Sequence, residues 1–538
     1  MADAHLALVL HAHLPFVRHP EHERHLEERW FFEALLECYL PLLGVLDRLA
    51  ADEVPVALTV SLTATLADML DDPLLRRRFR AHVGRLGALV RAEQRRIPIG
   101  DARREAIDFY AQHFEALVAH YERIDGRLVE ALVSHARAGR IELLASAATH
   151  AFLPGLLPVP RAAAAQIRIG VRAFEAQTGL DACGFWLPEC AYDPQLDAML
   201  AEAGVGHTVL EAHGVSLARP RPPFAGVSPI LSSAGVAYFA RDLPSSRQVW
   251  SRDEGYPGDP EYREFYRDIG FDLPESALLG ETGPFGARVS TGLKYHRVSG
   301  PGVALAEKGV WRPSLAKARA HLHAAHYVAS RVAHADAARS AMGAAGPPIL
   351  VAPYDAELLG HWWFEGPWFL EQVFRVLADQ STLAPSTLRG HLERHPWLFR
   401  AEPAASTWGA AGQRAVWIGE ESASVWRHVH HAAREVLALE AKQQASGARA
   451  SATELRALEQ ATVELLLLSA SDWPFIVSMG TARQYAESRA RAHAARLGEL
   501  TGALRDGTLD AARVEALAER DDFLAARGVV APPPMRSS

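Results

Sequence analysis

The chain has 538 residues, with 56 Lys and Arg against 64 Asp and Glu, a formal net charge of −8 and 49 % apolar content. That is enough for a large core, and the interspersed Arg and Glu leave no basic face for nucleic acid. No apolar run nears the roughly 20 residues of a membrane span, the amino terminus lacks a basic leader, and Cys38, Cys183 and Cys190 form no Cys-x-x-Cys pair; the expectation is a cytoplasmic protein with no membrane and no nucleic-acid partner.

Residues 6–10 form a short apolar run of the kind that makes a buried strand, and it leads into His11-Ala12-His13. Alternate strand residues face the same way, so both imidazoles project together. With His150 and Asp355 they could hold a hydrolytic metal centre of the amidohydrolase kind. They could equally donate hydrogen bonds to sugar hydroxyls, or be satisfied core histidines.

Similar apolar runs recur at 54–62, 141–145, 183–187, 207–210, 236–239 and 349–352, with helical patterns between most of them. Buried strands alternating with helices predict an α/β fold with a parallel sheet. Functional residues just after the strands favour a barrel over an open doubly wound sheet. The barrel is predicted over residues 1–70 and 140–403. Residues 71–139, rich in Arg, Ala, Leu and Glu at helical spacing, read as a helical insertion. Residues 211–300 contain a Pro-, Gly- and Tyr-rich stretch too long for an ordinary barrel loop, which marks it as functional. Residues 404–530 read as a carboxy-terminal helical domain that completes the cleft, broken by an Ala-, Ser- and Gln-rich turn at 441–452, and residues 531–538 as a frayed tail.

Two acids stand after strands and beside aromatic residues: Glu189 in Phe185-Trp186-Leu187-Pro188-Glu189-Cys190, and Asp355 before His361-Trp362-Trp363-Phe364. An acid taken at random is more often a helix cap or ion-pair partner. A pair in these settings fits a retaining glycosidase, in which one carboxylate attacks the anomeric carbon and the other, about 5–5.5 Å away, protonates the departing oxygen. Indole rings can stack on the C–H faces of glucose. Trp363, Trp408, Trp417 and Trp473 are therefore candidate platforms, although many tryptophans simply belong to the core. Asp472 beside Trp473 adds a hydroxyl acceptor outside the barrel.

Five stretches now stand in order: His11-Ala12-His13-Leu14-Pro15-Phe16; Ala147-Ala148-Thr149-His150-Ala151-Phe152; Trp186-Leu187-Pro188-Glu189-Cys190-Ala191-Tyr192; Tyr354-Asp355-Ala356-Glu357 through Trp363; and Ser471-Asp472-Trp473-Pro474-Phe475. They resemble the signature regions of glycoside hydrolase family 57, and within it most the 1,4-α-glucan branching enzymes. The runs at 245–259 and 261–272 strengthen that likeness. The resemblance implies a (β/α)7 barrel with a helical insertion and a helical carboxy-terminal domain. It also implies no metal or organic cofactor, and an α-glucan such as amylose, amylopectin or glycogen as partner. By motif position Glu189 matches the nucleophile and Asp355 the general acid/base. Arg263, Gly280, Trp408 and Asp472 fall where similar enzymes contact glucan, and His11, His13 and His150 near the reacting sugar. Oligomeric state is not legible.

Two departures from the pattern stand out. Leu231 occupies the place expected for a loop tyrosine, and the usual Trp-Gly-Glu-Gly-Gly run reads Trp408-Gly409-Ala410-Ala411-Gly412. Neither touches the acid pair, so bond cleavage is expected to be retained. A mainly hydrolytic α-1,4-glucanase and a 4-α-glucanotransferase are the alternatives. A non-catalytic glucan-binding protein would be expected to lack one of the acids.

Overall fold

Seven parallel strands form the centre: β1 (Ala4–Ala12), β2 (Leu58–Leu62), β3 (Ile141–Ser146), β4 (Phe185–Trp186), β5 (His207–Leu210), β6 (Ala237–Ala240) and β7 (Ile349–Asp355). The computed structural model describes residues 3–251, 254–283, 286–446, 450–524 and 528–530. Continuous ladders run β4-β3-β2-β1-β7, and a separate ladder joins β5 to β6. Single parallel bridges, Gly184 with His207 and Arg241 with Val351, connect the two sets. The order therefore closes on itself as a seven-stranded barrel, and the open-sheet alternative does not hold. The β4–β5 and β6–β7 seams are thin because each rests on one bridge.

Closure follows from patterning. All nine residues of β1 are buried, as strands covered by helices outside and packed side chains inside require. Ala7, Val9, Leu144, Trp186, Val209 and Phe239 meet in the barrel interior. In such barrels catalytic groups gather at the strands' carboxyl ends. Register places His11 of β1 opposite Ser61 of β2 on one side and Asp355 of β7 on the other, all at that end.

Between β2 and β3 come the helices Pro73–Arg96, Arg104–Arg123 and Leu128–Arg137. The first starts cleanly because the Asp72 side chain accepts from the Leu75 N–H and Pro73 needs no amide partner there. Five further helices, Ala423–Ser446, Ala452–Leu468, Asp472–Met479, Arg483–Asp506 and Ala511–Arg520, occupy the carboxy-terminal region. Ser451 and Glu454 build a capping box at the second, and Gly480 and Gly507 end two others with φ of 75° and 68°. The turn predicted over 441–452 is shorter, since the helix continues to Ser446 and the next begins at Ala452; 447–449 lie outside the described residues, as does the expected tail at 531–538. No helix among the described residues is long and apolar enough to cross a membrane.

One expectation needs correcting. Leu231 lies in a two-residue strand whose partners are Ala237, which opens β6, and Arg400. It therefore sits at the amino-terminal end of the barrel, four residues or roughly 13 Å back along the strand direction from Arg241. It does not face the carboxyl ends where the acids stand, so it is not the loop residue that would guide an acceptor.

Candidate active site

Every strand of the barrel delivers a polar side chain to the carboxyl-terminal mouth: His11 from β1, Ser61 from β2, His150 after β3, Glu189 after β4, Glu211 after β5, Arg241 after β6 and Asp355 from β7. The turns that do this hold strained backbone. His150, Glu189 and Cys190 have φ of 54°, 63° and 46°, a left-handed region that non-glycine residues occupy only when the surroundings fix them. For Glu189 the fixing contacts are the Thr407 hydroxyl and the Trp408 N–H, which donate to its carbonyl oxygen at 2.9 and 3.2 Å.

The Glu189 carboxyl, with 15 % of its side chain exposed, accepts from the Trp408 indole N–H at 2.8 Å and from the Ser471 hydroxyl at 3.3 Å. Burial pushes its pKa up to about 7, while the indole donor and then the nearby Asp472 and His13 charges pull in opposite directions. Asp355 is raised well above the ordinary carboxyl value by burial and by the charges of Glu357 and Glu189, with Arg241 opposing. No hydrogen bond from the described residues reaches its carboxyl. Two carboxyl groups in one recess are thus separated in acidity by their settings: donors favour the ionised form of Glu189, and like charges keep the proton on Asp355.

The histidines are fully engaged. His11 Nε2 faces His150 Nε2 at 2.8 Å, His11 Nδ1 meets Ser61 at 3.1 Å and His150 Nδ1 meets Ser471 at 2.8 Å. His13 meets Thr63 at 3.2 Å and the Asp472 carboxylate at 3.1 Å. Burial, reinforced by His13, holds both His11 and His150 well below 6.5, so they are neutral and share one proton between their facing nitrogens. The orientation compatible with an ionised Glu189 has His11 donating to His150, His150 to Ser471, and Ser471 to Glu189; it is assigned from the network. His13 behaves oppositely: burial resists its charge, but Asp472 and then Glu357 outweigh that and raise its pKa. Its ring lies against the His150 ring at a centroid distance of 3.9 Å. Because each ring nitrogen already has a protein partner, these histidines are arranged as a hydrogen-bond network. Among the described residues, these histidines and Asp355 do not bring three ligand atoms within 4.8 Å of one another, so the metal-centre reading finds no support in this geometry.

Other candidates are placed less centrally. Asp472, 12 % exposed at its side chain, is in the cleft as the partner of His13. Trp408 orients Glu189 and stands edge-on to Trp186. Trp363, Trp417 and Trp473 are 2 %, 2 % and 1 % exposed. Trp363 packs on Tyr262 and Phe369, Trp417 stacks on Phe152, and the Trp473 indole donates to the Leu467 carbonyl at 2.7 Å. They are walls, not open platforms. Their neighbour in the sequence, Trp362, is by contrast 54 % accessible and stacked on Phe265 at 4.7 Å, and Trp250 and Trp397 are exposed as well. Arg263 is enclosed, bonding to Glu37 at 2.9 Å, Tyr110 at 3.3 Å and the Gly292 carbonyl at 3.2 Å, with its guanidinium 4.0 Å from the Phe364 ring centroid. Gly280 lies in an exposed turn with φ of 79°.

Sequence reasoning did not single out Ser471, Glu357 or Arg241. Ser471 adjoins Asp472, and Glu357, which accepts from the Tyr39 hydroxyl and from the His13 N–H at 3.1 Å, is two residues past Asp355. Arg241 follows β6 directly and pairs with Glu211 at 2.9 Å. The strand-end signal that found the acids applied to it equally.

Comparison with known proteins agrees with this architecture. Residues 7–272 match the model of glycosyl hydrolase family 57, and residues 428–526 match that of the 1,4-alpha-glucan branching enzyme carboxy-terminal region. The chain is 31 % identical to the 1,4-alpha-glucan branching enzyme TK1436 of Thermococcus kodakarensis, over 96 % of this chain and 77 % of that one. The crystal structure of that enzyme superposes with a TM-score of 0.87 at 29 % identity, covering 99 % of this chain and 97 % of the other. The structure of the alpha-amylase AmyC from Thermotoga maritima superposes at 0.90 with 34 % identity, covering 99 % and 100 %. Sequence, barrel and carboxy-terminal helices agree: the chain belongs to glycosyl hydrolase family 57.

Proposed function

We propose that this protein is a retaining 1,4-α-glucan branching enzyme. Glu189 attacks the anomeric carbon of an α-1,4-linked glucan while Asp355 gives its proton to the departing chain, leaving a glycosyl group esterified to Glu189. Asp355, now ionised, takes the proton from the 6-hydroxyl of an acceptor glucan. That oxygen then displaces Glu189 and creates an α-1,6 branch. His13, held by Asp472, and the neutral His11–His150 pair line the recess and position Asp472 and Ser471 beside the reacting sugar. Trp408 orients the nucleophile, and Trp362 offers a stacking surface for the chain.

The observation that carries this reading is the carboxy-terminal region: it resembles that of branching enzymes, and Ser471 and Asp472 from it complete the cleft by hydrogen bonds to Glu189 and His13. A barrel over 1–70 and 140–403, an insertion over 71–139 and a helical domain over 404–530 is the division we propose. No metal or organic cofactor enters this scheme. The substrate would be amylose, amylopectin or glycogen. A cytoplasmic role in glycogen biosynthesis fits the three free thiols.

A second reading, a mainly hydrolytic α-1,4-glucanase, is favoured by the likeness to AmyC and by Ala410 and Ala411 in place of the usual acid and glycine. Water reaching the glycosyl ester gives a shortened chain instead of a branch, so acceptor placement decides between the two. Incubating the purified protein with amylose and a chelator, while counting new reducing ends and new α-1,6 links, separates them. Branches with few reducing ends establish the transferase. Reducing ends without branches establish the hydrolase.

A further inference from the structure

A second group of histidines converges at the opposite end of the barrel. His5 stands near the start of β1, His391 lies in the helix Leu388–Arg394, and His395 follows that helix directly. His5 is six residues from His11 on one strand, roughly 20 Å by the rise of an extended chain, so this cluster is separate from the cleft.

One nitrogen from each of the three rings can be chosen so that all lie within 4.8 Å of one another. His5 Nδ1 faces His391 Nδ1 at 2.9 Å, and that contact is the one hydrogen bond the described residues give these three side chains. His391 and His395 are four residues apart, the spacing that puts two ligands on one helix face, and the strand supplies the third. Ligand nitrogens about 2.0–2.1 Å from a tetrahedral zinc stand roughly 3.3 Å apart. The facing pair would need to open by only a few tenths of an ångström.

The Arg394 guanidinium adjoins the cluster and is tied to the Ser386 hydroxyl at 2.6 Å. A cavity of about 510 Å³ opens onto His5 and His395, leaving room for a fourth ligand from water; Arg394 and the Arg339–Asp3 pair, 2.6 Å apart, also border it. In the other buried three-ligand group, Glu464, His493 and Asp521, both carboxylates are already engaged by Arg496 at 3.0 and 2.7 Å.

We propose that His5, His391 and His395 form a zinc site at the amino-terminal mouth of the barrel, tying the first strand to the helix Leu388–Arg394. Its effect falls on stability, because the bottom face of such a barrel carries no chemistry. The test uses the full chain freed of metal by a chelator and titrated with zinc. Wild type is expected to take up about one equivalent at this site and to melt a few degrees higher at zinc well above Kd. His395→Ala, at a partly exposed helix end, is expected to lose both effects while glucan cleavage stays unchanged. Cobalt(II) in the wild-type chain provides a check that needs no variant: tetrahedral nitrogen coordination gives intense visible bands. No uptake by wild type, uptake that survives His395→Ala, or cobalt without those bands would overturn the assignment.

Discussion

Glu189 and Asp355 differ in what surrounds them more than in what they are. The Glu189 carboxyl receives two hydrogen bonds, whereas Asp355 meets the charges of Glu357 and Glu189. Under the proposed mechanism Glu189→Gln removes the nucleophile, and turnover of amylose is expected to fall by about 10³-fold or more with the fold retained; a thermal melt beside the assay checks both. The acidity of Glu189 sets the pH profile. It must be ionised to attack, so kcat/KM is expected to fall as pH drops through about 7, with the alkaline limb set by the raised Asp355. Ser471 stabilises the ionised form, so Ser471→Ala should move the acid limb upward by a fraction of a unit while leaving KM nearly unchanged. An unmoved limb would remove Ser471 from the network. The strand-end acids and histidines were legible because a carboxyl or imidazole after an apolar strand is a local pattern. Ser471 was not, since its importance comes from reaching across to a glutamate 282 positions away.

At the scale of elements, short strands and turns decide where these side chains point. Strand His207–Leu210 was read from its apolar run to the residue, because four buried positions between polar flanks leave little choice. The run at 183–187 forms only the two-residue strand Phe185–Trp186, since the chain must turn sharply at Pro188 to present Glu189. In the 408–412 turn, Ala411 has φ of 54°. A side chain in that left-handed region costs about 1–2 kcal/mol, and a glycine returns about 0.4–1 kcal/mol through extra freedom in the unfolded chain. Ala411→Gly is therefore expected to stabilise by about 0.5 kcal/mol, measurable by denaturant titration. Trp362 and Trp363 stand side by side in the sequence, and only the packing of Tyr262 and Phe369 selects Trp363 as the buried one and leaves Trp362 exposed. Trp362→Ala should weaken glucan binding by about 0.5–1.5 kcal/mol, seen as a higher KM at little change in kcat.

For the whole molecule, burial of ionisable groups couples stability to pH. Glu365 is fully buried; its Oε1 accepts from the Arg263 N–H and the Trp311 indole N–H, both at 2.9 Å, and its Oε2 has no partner among the described residues. Burial raises its pKa to about 7. A folded pKa above the unfolded one, near 4.5, means that an ionised buried carboxyl opposes folding above pH 7, and that this penalty vanishes as pH falls to about 4.5. Glu365→Gln keeps the accepting oxygen and gives the other position a neutral donor. It is expected to raise Tm at pH 8, by an effect on the order of 2 kcal/mol, with the gain gone by pH 4.5. A Tm difference independent of pH would mean that Glu365 does not titrate in this range.

By itself the sequence determined the parallel β/α alternation, the helical stretches on either side and the order of the five motifs. These depend on local periodicity and on residues that are neighbours in the chain. Tertiary structure alone decided that the expected barrel closes through two single bridges, that Leu231 lies at the far end of it from the acids, and that a carboxy-terminal serine bonds to a glutamate after the fourth strand. It also decided which tryptophans are walls and which are open, and it brought His5 to His391 and His395 from a distant stretch of chain. Hydrophobic pattern fixes which face of an element turns inward. What that face meets depends on packing between elements hundreds of residues apart, for which a linear pattern carries no distance.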